Sequence, residues 1–234
     1  MSALRVTDLW TGYGSTDIVH GVSLEVPEGE VVTLLGRNGV GKTTLLKAIL
    51  GVLPSRRGRT VIFDEDVTDW TPHRVARRGV AYVPQDAALF GELTVRENLE
   101  LAQVAGRNGR NGRTAEERVF SLFPVLGKRL SQKAGTLSGG EQRMLNLGRA
   151  FMKDPRLLLI DEVTEGVQPS IVTQIGKAIE ELRSRGASVL LVEQKVQFAL
   201  ALSSRFTVMQ RGEVVEVGAV TSKTASLIEK YFVL

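Results

Sequence analysis

Apolar and polar positions alternate over residues 4–10 and again over 22–26, which is the period-two pattern of half-buried strands. The turn PEGE at 27–30 leads into a short β-branched run, VVTLL at 31–35. After a glycine-rich loop the period changes, and residues 42–50 follow helical spacing up to Gly51. Residues 61–63 and 79–83 predict further strands. The spacing is helical over 93–105, over 114–126, and from LSGGEQ at 137–142 to about Met152. RLLLIDE at 156–162 predicts a buried strand ending in acid. Residues 171–185 predict an amphipathic helix ended by Gly186, and 188–192 another apolar strand. Two last strands, 206–209 and 214–217, flank a tight turn at Arg211–Gly212.

Apolar strands alternating with helices imply an α/β fold with a mostly parallel sheet covered on both faces. The first two strands add an antiparallel piece. The middle of the chain predicts an inserted helical segment without strands. Within it, GRNGRNGR at 106–113 is a short repeat with nothing to bury, so a solvated loop is expected there, its arginines within reach of phosphates. The expected organisation is one domain over 1–234, with 1–85 and 151–234 forming a core and 86–150 the helical segment.

Composition narrows this picture only a little. Hydrophobic residues make up 43% and charged residues 24% of 234, ordinary for a globular chain. There is no cysteine, which excludes disulfides and thiolate metal sites and fits the cytosol. No apolar run approaches the roughly 18 residues of a membrane span. MSALRVTDLW lacks the basic flank and apolar stretch of a signal peptide. A net charge of +4 suits nucleotides, anionic lipid or nucleic acid without choosing among them.

The chemistry begins at Gly36-Arg37-Asn38-Gly39-Val40-Gly41-Lys42-Thr43, which fits G-x-x-x-x-G-K-[ST] with a strand before it and a helix after it. Glycines let backbone N–H groups turn inward around phosphate oxygens, and the helix N-terminus adds its positive dipole end. Lys42 is placed to reach the β- and γ-phosphates and Thr43 to ligate Mg²⁺; Thr44 completes the run. Asp161, at a strand end, can hold Mg²⁺ through water, and Glu162 can orient or deprotonate the attacking water. LSGGEQ is a second glycine turn opening a helix, without a lysine. Ser138 fits the N-cap and Glu141 the capping-box position, while the N–H groups of Gly139 and Gly140 suit an anion.

GRNGVGKTT, LSGGEQ and LLLIDE in that order resemble the ATP-binding subunits of ABC transporters, nearly end to end. The resemblance implies a head-to-tail dimer in which ATP lies between one chain's lysine loop and the other chain's LSGGEQ, and this would give the second cradle its purpose. It also implies that Tyr13 stacks on adenine, and that Gln85 contacts Mg²⁺ and water and links the core to the helical segment. That segment would dock on a membrane permease at the cytoplasmic face of the membrane, with a solute-binding protein as an indirect partner and no nucleic acid. The dimer would be of identical chains or of this chain with a sibling.

Three positions depart from the family pattern. Gln194 stands where a histidine usually touches the γ-phosphate, and it is expected to serve as a neutral sensor. Val163 replaces a proline, and Gln168 an aspartate. The two histidines, His20 and His73, are expected at the surface. VEQ, EGVQPS and GRNGVGKTT resemble the branch that energises uptake of branched-chain amino acids, urea and related amides. Two other classes compete: an ATPase of the same fold acting on nucleic acid or in translation, and a nucleotide-gated scaffold with weak hydrolysis. The basic charge permits the former, and the lost histidine and aspartate lend weight to the latter. The C-terminal SLIEKYFVL is expected to pack on the core.

Overall fold

The computed structural model describes residues 1–86, 88–104 and 112–232. Its first two strands, β1 (Ser2–Tyr13) and β2 (Thr16–Pro27), run beyond the segments that alternation predicts. They form a hairpin whose two-residue turn starts at Gly14, with φ 56°. Alternation fails in β1 because the register slips between Val6 and Leu9, where Asp8 takes φ 48°.

β3 (Val31–Leu35) leads through the glycine loop into α1 (Lys42–Ile49), which Gly51 closes at φ 71°. Next come β4 (Arg57–Ile62), the two-residue β5 (Glu65–Asp66), α2 (Pro72–Arg77) and β6 (Val80–Val83). Neither β5 nor α2 has a sequence expectation, being too short to show a period.

Helices α3 (Val95–Val104), α4 (Gly112–Leu122), α5 (Pro124–Gly127) and α6 (Gly139–Lys153) follow. The helix expected over 114–126 is thus two: Pro124 cannot continue α4, and Phe123 before it leaves helical geometry at φ −128°. The expected loop at 106–113 lies outside the described residues except for its last two positions, where α4 begins.

The chain closes with β7 (Leu157–Asp161), α7 (Pro169–Ser184), β8 (Ser188–Glu193), α8 (Val196–Leu202), β9 (Arg205–Gln210), β10 (Glu213–Ala219) and α9 (Thr224–Glu229). Ile228 of α9 is buried, and Tyr231 and Phe232 pack against the same core.

Two sheets result. An antiparallel sheet has the order β2-β1-β4-β5, and a second sheet the order β10-β9-β3-β8-β7-β6. In the second sheet all neighbours are parallel except β10 and β9. Its central strands divide their side chains between two cores, with a period of two. Leu35, Leu158, Ile160, Val189 and Leu191 face the cluster built with α3 to α9. Leu34, Leu157, Leu159, Leu190 and Val192 face the cluster shared with α1 and the antiparallel sheet. Because β3, β6, β7 and β8 are parallel, their carboxyl ends lie along one edge, and the loops that carry Lys42, Gln85, Glu162 and Gln194 leave from that edge.

Candidate nucleotide site

The glycine loop is shaped by close approach and by backbone sign. A Cβ on Gly36 would lie 2.5 Å from the Met209 carbonyl oxygen, and Gly41 sits at φ 106°. Gly41 is also the N-cap of α1, which has neither a side-chain cap nor an acid in its first turn. The N–H groups of that turn are therefore left for an anion. Lys42, although only 3% exposed, keeps its charge satisfied. Its Nζ donates to the carbonyls of Gly36 at 2.7 Å and Arg37 at 2.9 Å, and lies 2.8 Å from Glu162 Oε1.

Asp161 ends β7 fully buried. Its Oδ2 accepts from the Thr43 hydroxyl at 2.8 Å and from the Tyr82 hydroxyl at 3.2 Å. Burial pushes the Asp161 carboxyl up from its ordinary value, and the charge of Glu162 adds to this, while the bonds from Thr43 and Tyr82 oppose it. Burial also raises the Tyr82 phenol, with Asp161 contributing. Asp161 Oδ1 has no hydrogen-bond partner. A buried carboxylate oxygen without a donor beside a threonine hydroxyl suits a hard divalent cation such as Mg²⁺. Among the described residues no group of three or more His, Cys, Asp and Glu could hold a metal.

Glu162 follows in the left-handed region at φ 46°, uncommon for a residue with a side chain. Its N–H donates to Val192 O at 2.9 Å, and Arg143 of α6 reaches its carbonyl at 3.3 Å. The turn aims the carboxylate at Lys42 and Gln85. Gln85 Nε2 donates to Glu162 Oε2 at 3.3 Å and to Glu165 Oε2 at 2.6 Å. A cavity of about 330 Å³ opens over these groups, lined by Ile18, Asn38, Gly39, Gly41, Lys42, Thr43, Thr44, Gln85 and Glu162.

The remaining expected residues lie elsewhere. Tyr13 is 48% exposed, with its hydroxyl 3.4 Å from Lys47 Nζ, and does not line the cavity; Ile18 does. The side chains of Arg37 and Val40 line a separate cleft with Gln210, Arg211 and Tyr231. Gln194 is exposed just after β8 and is also absent from the cavity lining. Val163 is buried in the core, and Gln168 is the N-cap of α7 without a side-chain cap bond. His73 is exposed, whereas His20 is only half-exposed, packed 5.6 Å from the Trp10 ring.

The second glycine turn does not share the cavity. Ser138 caps α6 in a full capping box, its N–H and hydroxyl both 2.9 Å from Glu141 Oε2. Glu141 in turn pairs with Arg129 at 3.2 Å. A Cβ on Gly140 would strike Ile171 Cδ1 at 2.3 Å, while Gly139 faces open space.

Sequence reasoning missed Ile18, Tyr82, Arg143, Glu165 and Glu193. Glu193 is buried and accepts from Thr164 N at 3.2 Å and from the Thr164 hydroxyl at 2.9 Å. Only Glu165 carried a signal, as an acid three places after Glu162 where the chain departs from the family pattern.

A phosphate-cradling loop facing strand-terminal acids defines a nucleoside-triphosphatase. Residues 19–165 match the family model described as ABC transporter, and the chain belongs to this family as an ATP-binding motor, an ATPase coupled to transport. It is similar to the high-affinity branched-chain amino acid transport ATP-binding protein BraG of Pseudomonas aeruginosa, with 41% identity over 88% of each chain. It is 35% identical to the lipopolysaccharide export system ATP-binding protein LptB of Escherichia coli K12, over 94% of this chain and 92% of that one. A solved ATP-binding subunit of an ABC transporter superposes with a TM-score of 0.84 at 30% identity, covering 99% and 94% of the two chains. The ADP conformation of the ATP-binding cassette MJ1267 gives 0.80 at 28% identity, covering 94% and 91%.

Proposed function

We propose that this chain is the ATP-hydrolysing motor of a membrane importer for branched-chain amino acids or for urea and short amides. The observation that carries hydrolysis is the chain of contacts Lys42–Glu162–Gln85, with Thr43 on Asp161 beside it. The likeness to BraG supports the solute class. An export motor is the second reading, favoured by the likeness to LptB.

The proposed roles follow from the contacts. Phosphate oxygens of ATP draw the Lys42 ammonium away from Glu162, and the freed carboxylate then takes a proton from water. Gln85 orients that water. Thr43 and Asp161, with Gln85, are the residues to hold Mg²⁺, which when bound offsets the charge of the phosphates. Gly36, Asn38, Gly39, Gly41 and Thr44 contribute the cradle, and Tyr13 a face for the adenine. Ser138 of a second subunit, with the N–H groups of Gly139 and Gly140, closes over the terminal phosphoryl group. The second subunit is an identical chain or a sibling. Gln194 offers a neutral hydrogen bond where a charged sensor is usual.

In this reading residues 1–85 and 151–234 bind nucleotide, and residues 86–150 meet permease subunits at the cytoplasmic face. Among the described residues no helix is long and apolar enough to cross a membrane. The test is reconstitution with candidate permeases and their binding protein in liposomes. ATP hydrolysis stimulated by leucine, or by urea or acetamide, supports the importer. Stimulation by lipopolysaccharide with an export permease instead would support the second reading.

A further inference from the structure

We infer that Glu165 is a positioning residue for hydrolysis, holding the side chain of Gln85 so that Glu162 is free to act on water. This rests on the proposed roles of Gln85 and Glu162. The main chain of Gln85 is fixed independently, since Arg143 donates to its carbonyl at 2.9 Å. Its side-chain nitrogen is held by two carboxylates: Glu165 at 2.6 Å and Glu162 at 3.3 Å. The bond to Glu165 is the shorter, in the range of a strong charge-assisted bond.

The two acids differ in what else they must do. Glu162 is only 5% exposed and shares its other oxygen with Lys42. When phosphates take Lys42, Glu162 must receive a proton from water, and a carboxylate that gains a proton becomes a poorer acceptor for an amide. Glu162 therefore cannot both anchor Gln85 and serve as base. Glu165 has no such duty. It is exposed and follows Thr164, whose N–H and hydroxyl are tied to the buried Glu193. That tie fixes the backbone from which Glu165 reaches Gln85, so Gln85 keeps its direction through the cycle.

The experiment compares parent, Glu165→Ala, Glu165→Gln and Glu165→Ala in a Gln85→Ala background, by steady-state ATP hydrolysis and by affinity for trinitrophenyl-ATP under non-hydrolysing conditions. Glu165→Ala is expected to lower kcat about tenfold, the loss of one charged hydrogen bond, with KM and analogue affinity within about twofold of the parent. Glu165→Gln keeps an acceptor oxygen and is expected to recover most of that loss. In the Gln85→Ala background, Glu165→Ala is expected to change nothing further. Parent-like turnover in Glu165→Ala, a loss confined to KM, or undiminished additivity with Gln85→Ala would overturn the inference. A parent that hydrolyses no ATP, or one matched by Glu162→Gln, would instead overturn the site reading beneath it.

Discussion

The chain has two glycine turns that open onto helices, and they are finished in opposite ways. At the lysine loop the helix has no cap of its own, Lys42 is buried, and its charge and that of Asp161 are met by residues distant in sequence. At LSGGEQ the helix caps itself, since Ser138 and Glu141 satisfy each other within one turn and the turn faces outward. The first leaves the N–H groups of its helix start free for an anion. The second is closed by its own capping box, with the Ser138 N–H and hydroxyl both on Glu141. Similar local motifs thus end as an uncapped turn beside buried charges and a self-capped turn at the surface, according to what the fold packs around them.

The sharpest way to break this contrast is at the acid of the first half. Glu162→Gln is expected to lower ATP turnover about a hundredfold or more while leaving nucleotide binding intact, so that ATP-bound dimers accumulate in gel filtration. Unchanged turnover would remove Glu162 from the chemistry.

The two sets of glycines offer a second test. Gly36→Ala puts a methyl against a main-chain oxygen that cannot swing away, and a loss of about 2 kcal/mol is expected in denaturant unfolding. Gly139→Ala meets open space and should change stability by less than about 0.5 kcal/mol.

A pH titration probes the support behind the first half alone. Burial raises the Glu193 carboxyl from 4.5 to about 6, against the pull of its bonds from Thr164 and with the charge of Glu162 adding to the rise. The native state therefore binds more protons than the unfolded chain between these values. Stability from this group is complete below about 4.5 and is lost as pH rises through about 6, on the order of 2 kcal/mol in all. Glu193→Gln should flatten the pH dependence of unfolding in that window. Identical profiles for mutant and parent would refute the assignment.

A smaller effect on turnover belongs to the second turn. Ser138→Ala should lower turnover about tenfold but leave trinitrophenyl-ATP affinity of the isolated chain within twofold, if, as proposed, it serves a nucleotide held by another subunit. Weakened binding by the isolated chain would mean that both cradles act on one nucleotide in one chain.

How much of this was legible in the sequence depends on the range of each contact. The lysine loop, the strand-end acids and the capping box were legible because each is written within a few consecutive residues. The break of α4 before Pro124 was missed, because periodicity alone runs past the proline. Tyr82 on Asp161, Arg143 on the carbonyls of Gln85 and Glu162, and Ile18 at the cavity wall were not legible, because 79, 58 and 19 residues separate the hydrogen-bonded pairs and strand Ile18 has no chemistry to betray it.

By itself, then, the order of residues determined most of the longer strands and helices, and which side chains can cradle phosphate, because periodicity, capping and glycine freedom act over one or two turns. Tertiary structure alone decided that β3 lies between β8 and β9, and so which acids face Lys42 and which glutamine they hold. Strand neighbours in a parallel sheet are chosen by helices packing across its faces, and that choice depends on surfaces that exist only once the chain has folded.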